Sequence, residues 1–117
     1  MTGLPAAEQP RIYSTCTEWA VCALPESNIN YRYFKLIVRR NAEGAWYVTD
    51  GFDRCLGADG EWDEGVKPYG RGDDWIAAHR FTFNEALDLA QAAAPGVVVN
   101  GHTVAEALAA AGEGGAQ

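Results

Sequence analysis

The chain has 117 residues, of which 48% are hydrophobic and 21% are charged, and its formal net charge is −7. This composition is typical of one globular domain and argues against general disorder. The acidic balance disfavours direct binding to nucleic acid or to an anionic membrane, because phosphate recognition needs clustered cations.

The first half of the chain predicts three strands. Residues 18–24 alternate between two apolar sets, which is typical of a strand covered on both faces. A loop of turn-forming residues over 25–30 leads to residues 31–40, the longest aromatic and β-branched run without Gly or Pro. We interpret this run as the central strand. The polar stretch 41–44 ends in Gly and predicts a hairpin to a third strand over 45–49.

The two faces of the predicted central strand differ in polarity. Phe34, Leu36 and Val38 fall on one face, and Trp46 and Val48 of the third strand should join them. The opposite face consists of Tyr33, Lys35, Ile37 and Arg39. A covered Ile37 would indicate a dimer or a partner. We therefore expect that a homodimer, if one forms, uses either this Tyr33/Ile37 face or an open sheet edge.

The second half predicts shorter strands followed by helices. An Asp50-Gly51 turn precedes a fourth strand over 52–56, and the Asp59-Gly60 turn precedes a fifth over 61–63. Residues 64–74 lack periodicity, and residues 75–81 fit either a helical turn or a short strand.

Two capping boxes mark the predicted helices. Thr82 and Glu85 open a helix over 83–94 that Pro95 and a following Gly stop. A short buried strand over 97–99 follows. The pair Thr103 and Glu106 then opens a short helix that ends near residue 111.

Together these elements predict an α+β fold. It consists of an antiparallel meander of four to five short strands with the 83–94 helix packed on one face, plus a short strand and a short final helix. We expect one domain over residues 12–111, with flexible termini over 1–11 and 112–117.

The cysteines favour a reducing environment. Cys16, Cys22 and Cys55 are odd in number, and no apolar signal segment with a basic lead opens the chain. We therefore expect free, buried thiols and a cytoplasmic location. No apolar run approaches ~18 residues, so no transmembrane helix is predicted.

The sequence predicts no metal, cofactor or catalytic site. It has no C-x-x-C pair, and His79 and His102 are isolated. The acidic run 59–63 departs from the calcium-loop pattern, because Glu64 stands where Gly is needed and Gly70 where Glu is needed. Nucleophile motifs and phosphate-binding glycine loops are also missing. We therefore expect a non-enzymatic protein.

An acidic, aromatic region is the predicted partner-binding site. Residues 50–74 carry eight acidic and three basic side chains. Trp and Tyr dominate interface hot spots and charge steers encounter, so this region suits a protein with a basic surface. The alternative is that the tryptophans belong to the core and the acids form a solubilising face. The predicted residues are Asp59, Glu61, Trp62, Asp63, Tyr69 and Trp75.

Two other function classes remain open. The acids could stand in for phosphates in a DNA-mimic inhibitor of a nucleic-acid-binding protein. Alternatively, Trp46, Trp62 and Trp75 could line the pocket of a small-molecule binder or enzyme.

A resemblance covers about the C-terminal half of the chain. Its residues are the string from Cys55 to Asp63, Asp74-Trp75 with His79-Arg80-Phe81, Ala86-Leu87-Asp88-Leu89-Ala90, and Val99-Asn100-Gly101. The chain resembles small hypothetical proteins of actinobacteria and their phages. This resemblance implies a bacterial or phage-infected cytoplasm. We therefore expect an accessory protein of phage or mobile-element origin. It assigns no functional residue.

Overall fold

A computed structural model describes residues 10–52, 54–63 and 71–115 of the chain. The strands are β1 Glu18–Val21, β2 Leu36–Arg40, β3 Trp46–Thr49, β4 Cys55–Leu56, β5 Trp62–Asp63, β6 Val98–Val99 and β7 His102–Thr103. The helices are α1 Tyr31–Phe34, α2 Asp73–Ala78, α3 Phe83–Ala93 and α4 Val104–Gly115, with a 3-10 turn over Ala94–Gly96.

The strands form one antiparallel sheet and one separate hairpin. The sheet follows the order β1-β2-β3-β4-β5, and β6 pairs only with β7 among the described strands. The predicted α+β fold is therefore confirmed, as is the hairpin between β2 and β3. The Asn41 carboxamide and Gly44, whose φ is +88°, shape the turn of that hairpin.

The main core lies between the sheet and α3. Leu36, Val38, Val48 and Leu56 are almost fully buried on this face and pack against alanines of α3. Val38 and Val48 are direct cross-strand partners and so share one face of the sheet, as predicted. Each such side chain contributes about 1.5–3 kcal/mol on burial. Small residues on α3 allow the helix to approach the sheet closely.

Both predicted capping boxes are present. The Thr82 hydroxyl accepts from the Glu85 N–H at 3.2 Å, and the Glu85 carboxylate accepts from the Thr82 N–H at 2.9 Å. Thr103 and Glu106 repeat this exchange at 3.1 and 3.0 Å. α4 then continues to Gly115, past the predicted end near residue 111, since its Ala-rich run contains no Pro.

The first half of the predicted central strand is instead a helical turn. The Asn28 and Asn30 carbonyls accept from the N–H groups of Tyr31 and Tyr33, each at 3.0 Å, so the preceding turns continue into α1. Phe34 does not join the main core. It packs in a second buried cluster with Leu24, Val104 and Ala107. Local hydrogen bonds and this second core therefore outweigh the β-propensity of the segment.

The predicted Tyr33/Ile37 face does not exist as one surface. Tyr33 belongs to α1, whereas Ile37 lies on β2 and is 9% exposed. The turn after β3 covers Ile37, because a Cβ on Gly51 would lie 3.6 Å from its Cδ1. The Thr49 hydroxyl fixes this turn by donating to the Arg54 carbonyl at 2.9 Å. Burial of Ile37 is thus intramolecular and gives no indication of a dimer.

β1 is more exposed than predicted. It ends at Val21, and Trp19 remains 48% exposed. The reason is its position at the sheet edge, where α3 covers it only in part.

Three further boundaries differ from prediction. β4 begins at Cys55, and Phe52 is exposed before it. The predicted buried strand over 97–99 is the surface hairpin β6–β7, in which Val98 is 51% exposed. The ambiguous 75–81 stretch contains the end of α2 and then a bridge from Phe81 to Trp46.

The cysteines are free but not uniformly buried. Cys55 is buried, Cys22 is partly buried and Cys16 is exposed. The prediction of buried thiols is therefore wrong for Cys16, because it lies before β1, outside both cores.

Candidate functional site

The β4–β5 hairpin presents the predicted acidic residues at its tip. The Gly60 N–H donates to the Gly57 carbonyl at 2.9 Å, and Gly60 has a φ of +82°. One carboxylate oxygen of Asp59 accepts from the Glu61 N–H at 3.0 Å and so closes the turn. The Asp59-Gly60 turn is therefore as predicted, and the side chains of Asp59 and Glu61 are exposed.

α2 packs beside this hairpin. The Ala58 N–H at the tip donates to the carbonyl of Ala78, the last residue of α2, at 2.9 Å. Asp73 and Asp74 open the helix and are exposed. Carboxylates in a first helical turn are favoured by the helix dipole. The hairpin and α2 together form what we call the hairpin–α2 unit, residues 55–63 and 73–79.

His79 joins the two parts of this unit and is only 4% exposed. Its Nδ1 donates to the Trp75 carbonyl at 2.6 Å, since a carbonyl can only accept. Its Nε2 lies against the Asp63 carboxylate and forms no hydrogen bond with any described residue. Both ring nitrogens therefore face oxygen atoms of the unit itself.

Trp75 is packed rather than free. Its indole stacks on the His79 ring at 3.9 Å between centroids, with the planes 9° apart. The guanidinium groups of Arg71 and Arg80 lie 4.5 and 5.7 Å from the indole centroid. Cation–π contacts of this kind contribute about 0.5–1 kcal/mol at exposed sites. Trp75 Nε1 is buried and has no hydrogen-bond partner within the described ranges.

Trp62 lies on the other face of the sheet. It is the cross-strand partner of Leu56 and packs against the main core. The Arg54 guanidinium lies 5.1 Å from the Trp62 indole centroid. Asp63 pairs with Cys55, and alternation along the strand turns this pair to the opposite face.

The five predicted site residues that the structure describes do not converge on one surface. Asp59 and Glu61 are exposed at the hairpin tip, and Asp63 contacts His79 near Trp75, whereas Trp62 packs on the α3 face. Tyr69 lies outside the described residues.

Sequence reasoning missed the central role of His79. The His79-Arg80 pair is visible in the sequence, but an isolated His gives no indication of burial. The informative signal is the four-residue spacing from Trp75 to His79, which places both rings on one side of a helical turn. Arg80 extends the same packing, since its guanidinium also lies 5.1 Å from the Tyr47 ring centroid.

The chemistry available inside this unit is limited. Burial raises the pKa of the Cys55 thiol, which keeps it protonated and weakly nucleophilic. His79 is buried with both nitrogens against oxygen atoms. Within the described ranges, no group of three His, Cys, Asp or Glu side chains could hold a metal ion.

The three tryptophans proposed to line one pocket also lie apart. Trp46 packs edge-on against Phe83 at 4.8 Å between ring centroids, on the α3 face. Trp75 stacks on His79, on the opposite face of the sheet. Trp46 and Trp62 therefore lie on the α3 face of the sheet, and Trp75 lies on the other face.

Comparison with protein-family models, curated proteins and solved structures finds no match. Among the described helices, none is long and apolar enough to cross a membrane.

Proposed function

We propose that this chain is a small acidic, non-enzymatic accessory protein that binds a basic surface of a bacterial host protein through the hairpin–α2 unit. A phage or mobile-element origin is part of this proposal and rests on the resemblance of the C-terminal half. One observation carries the binding proposal: four exposed carboxylates lie on two elements that are fixed to each other. They belong to Asp59, Glu61, Asp73 and Asp74.

Rigidity is what makes these carboxylates suitable for recognition. The Ala58–Ala78 backbone hydrogen bond and the His79–Asp63 contact join the two elements before any partner arrives. Groups that are already ordered lose less conformational entropy on binding. The net charge of −7 adds long-range attraction toward a cationic surface.

The internal groups of the unit support a binding role over a catalytic one. His79, Asp63 and Trp75 contact one another, and Cys55 is buried. These side chains fix the shape of the unit, while the exposed carboxylates are left for a partner.

Affinity capture from a bacterial lysate tests the proposal with two charge-matched variants. The site variant combines Asp59→Asn, Glu61→Gln and Asp74→Asn. Asn at position 59 keeps the oxygen that accepts from the Glu61 N–H, so the turn is preserved. The control variant changes three exposed acids elsewhere, namely Glu26→Gln, Glu43→Gln and Asp88→Asn.

Both variants remove three negative charges, so only the position of the charge differs. We expect wild type and control to capture the same basic proteins, and the site variant to lose them. Equal loss in both variants would mean that net charge alone acts. Equal retention in both would reject the hairpin–α2 unit as the binding surface. Release of the captured proteins by duplex DNA would instead favour the DNA-mimic hypothesis.

A further inference from the structure

Among the described residues, β1 presents an unpaired backbone edge. The Arg40 N–H donates to the Thr17 carbonyl at 2.9 Å, so Thr17, Trp19 and Val21 direct their backbone groups toward β2. The backbone groups of Glu18 and Ala20 therefore point outward. Among the described strands, β1 pairs only with β2.

The only charged side chain on β1 is Glu18, and it is paired with Arg39. The strand reads Glu-Trp-Ala-Val, with no Lys or Pro. The outward Glu18 carbonyl accepts only a weak hydrogen bond from the Cys16 thiol, at 3.3 Å, among the contacts described. The other edge, β5, has just two residues. β1 is therefore the edge at which another strand can add.

An open groove accompanies this edge on the α3 side. Its two neighbouring sections have volumes of 330 Å³ between β1 and α3 and 230 Å³ beside Cys16 and Phe83. Trp19 borders both sections and is 48% exposed. Its ring meets the Phe83 ring edge-on, with 5.9 Å between the ring centroids. A strand added to β1 would place alternate side chains over this groove.

We propose that the occupant is a second copy of this chain, paired antiparallel through β1 about a two-fold axis at Trp19. In this register Glu18 lies opposite Ala20 of the second copy and Ala20 opposite its Glu18. All outward backbone groups of both strands then form hydrogen bonds. The two indoles meet as a close, non-hydrogen-bonded pair, which is the cross-strand arrangement favourable to aromatic side chains.

Charge and strand length exclude the neighbouring registers. Centring the axis on Glu18 would place two carboxylates directly opposite each other, which is unfavourable. Centring it on Ala20 would pair Glu18 with Cys22, which lies beyond the end of β1. The register centred on Trp19 also leaves the Glu18–Arg39 ion pair, at 2.8 Å, beside the small Ala20 side chain.

This dimer is independent of the proposed function. β1 and β5 are opposite edges of the sheet, so pairing through β1 leaves the hairpin–α2 units at the two far ends.

Sedimentation velocity over a concentration series tests the dimer. We expect wild type to shift from monomer to dimer. Trp19→Glu places two carboxylates at the axis and should raise the dissociation constant by about tenfold or more. Phe52→Glu is the control, since Phe52 is an exposed aromatic outside β1. Circular dichroism establishes that both variants are folded.

Disulfide crosslinking tests the register in a Cys16→Ser background. Trp19→Cys should form a covalent dimer under mild oxidation, because Cα atoms about 4.5 Å apart in such a pair suit a disulfide. Glu18→Cys should not, since it faces Ala20. The proposal is overturned if wild type stays monomeric up to its solubility limit, if Trp19→Glu leaves the dimer intact, or if only Glu18→Cys crosslinks.

Discussion

Gly57 packs so closely at the base of the acidic hairpin that Gly57→Ala should destabilise the protein. A Cβ at this position would lie 2.9 Å from Asp59 Oδ1, 3.2 Å from His79 Nε2 and 3.5 Å from the Glu61 carbonyl oxygen. Gly57 is outside the left-handed region of φ, so contact rather than backbone strain decides the outcome.

The expected magnitude follows from what must move. Asp59 Oδ1 is tied to the Glu61 N–H at 3.0 Å, so its displacement opens the turn. His79 is tied to the Trp75 carbonyl at 2.6 Å and yields little. Overpacking of this kind costs about 1–3 kcal/mol. The lower entropy of the unfolded Ala chain offsets about 0.4–1 kcal/mol of that. We expect a net loss of about 1–2 kcal/mol.

Urea unfolding followed by tryptophan fluorescence measures this loss. The double variant Gly57→Ala with Asp59→Ala removes the tightest contact and should recover about 0.5 kcal/mol or more of coupling energy. Gly60→Ala is a contrasting variant, because a Cβ there would meet nothing within 4 Å. Its φ of +82° strains any side chain, so backbone conformation rather than contact would lower its stability. A Gly57→Ala protein as stable as wild type, or a strictly additive double variant, would refute the steric reasoning.

Three other predictions concern the core, pH and the thiols. Val48→Ala should cost about 2 kcal/mol in urea unfolding, since it removes buried methyl groups and leaves a cavity, whereas Val98→Ala at the exposed hairpin should cost under about 0.5 kcal/mol. Hydrogen bonds from its helix cap hold the pKa of Glu85 below its ordinary value, so its stabilising effect is present above the unfolded pKa and is lost as pH falls through the folded pKa. Thermal unfolding across the acid range should therefore be less pH-dependent in Glu85→Gln, and an unchanged dependence would contradict this. A thiol reagent should modify exposed Cys16 rapidly and buried Cys55 only on unfolding, as mass spectrometry of the modified peptides can determine.

Local hydrogen-bonding patterns explain which parts of the fold were predictable. Thr82 with Glu85 and Asp59 with Gly60 each encode their structure within four residues, and both are present. The helical conformation of α1 also has a local cause. That cause is the hydrogen bonding to the preceding turn, not the aromatic run itself. Burial of Phe34 beside Val104 depends on packing between distant segments, which periodicity does not reveal.

The candidate site was predictable in position but not in arrangement. The acids at the hairpin tip follow from the Asp59-Gly60 turn. The separation of Trp62 from Trp75 depends on the register of two-residue strands, and a shift of one residue would reverse the faces. His79 is buried only because α2 folds back onto the hairpin, a contact between segments that the sequence pattern does not specify.

The bridge between Trp46 and Phe81 gives the segment joining α2 to α3 an unusual place in the sheet. The Trp46 N–H donates to the Phe81 carbonyl at 2.9 Å, and the Phe81 N–H donates to the Trp46 carbonyl at 2.8 Å. This connection therefore adds to β3, a central strand, rather than lying loosely over the surface. Fluctuations that open it must break bonds beside the main core. We therefore expect α2, the sheet and α3 to unfold as one cooperative unit. The Phe81 amide should then exchange with deuterium almost as slowly as the core amides of β3.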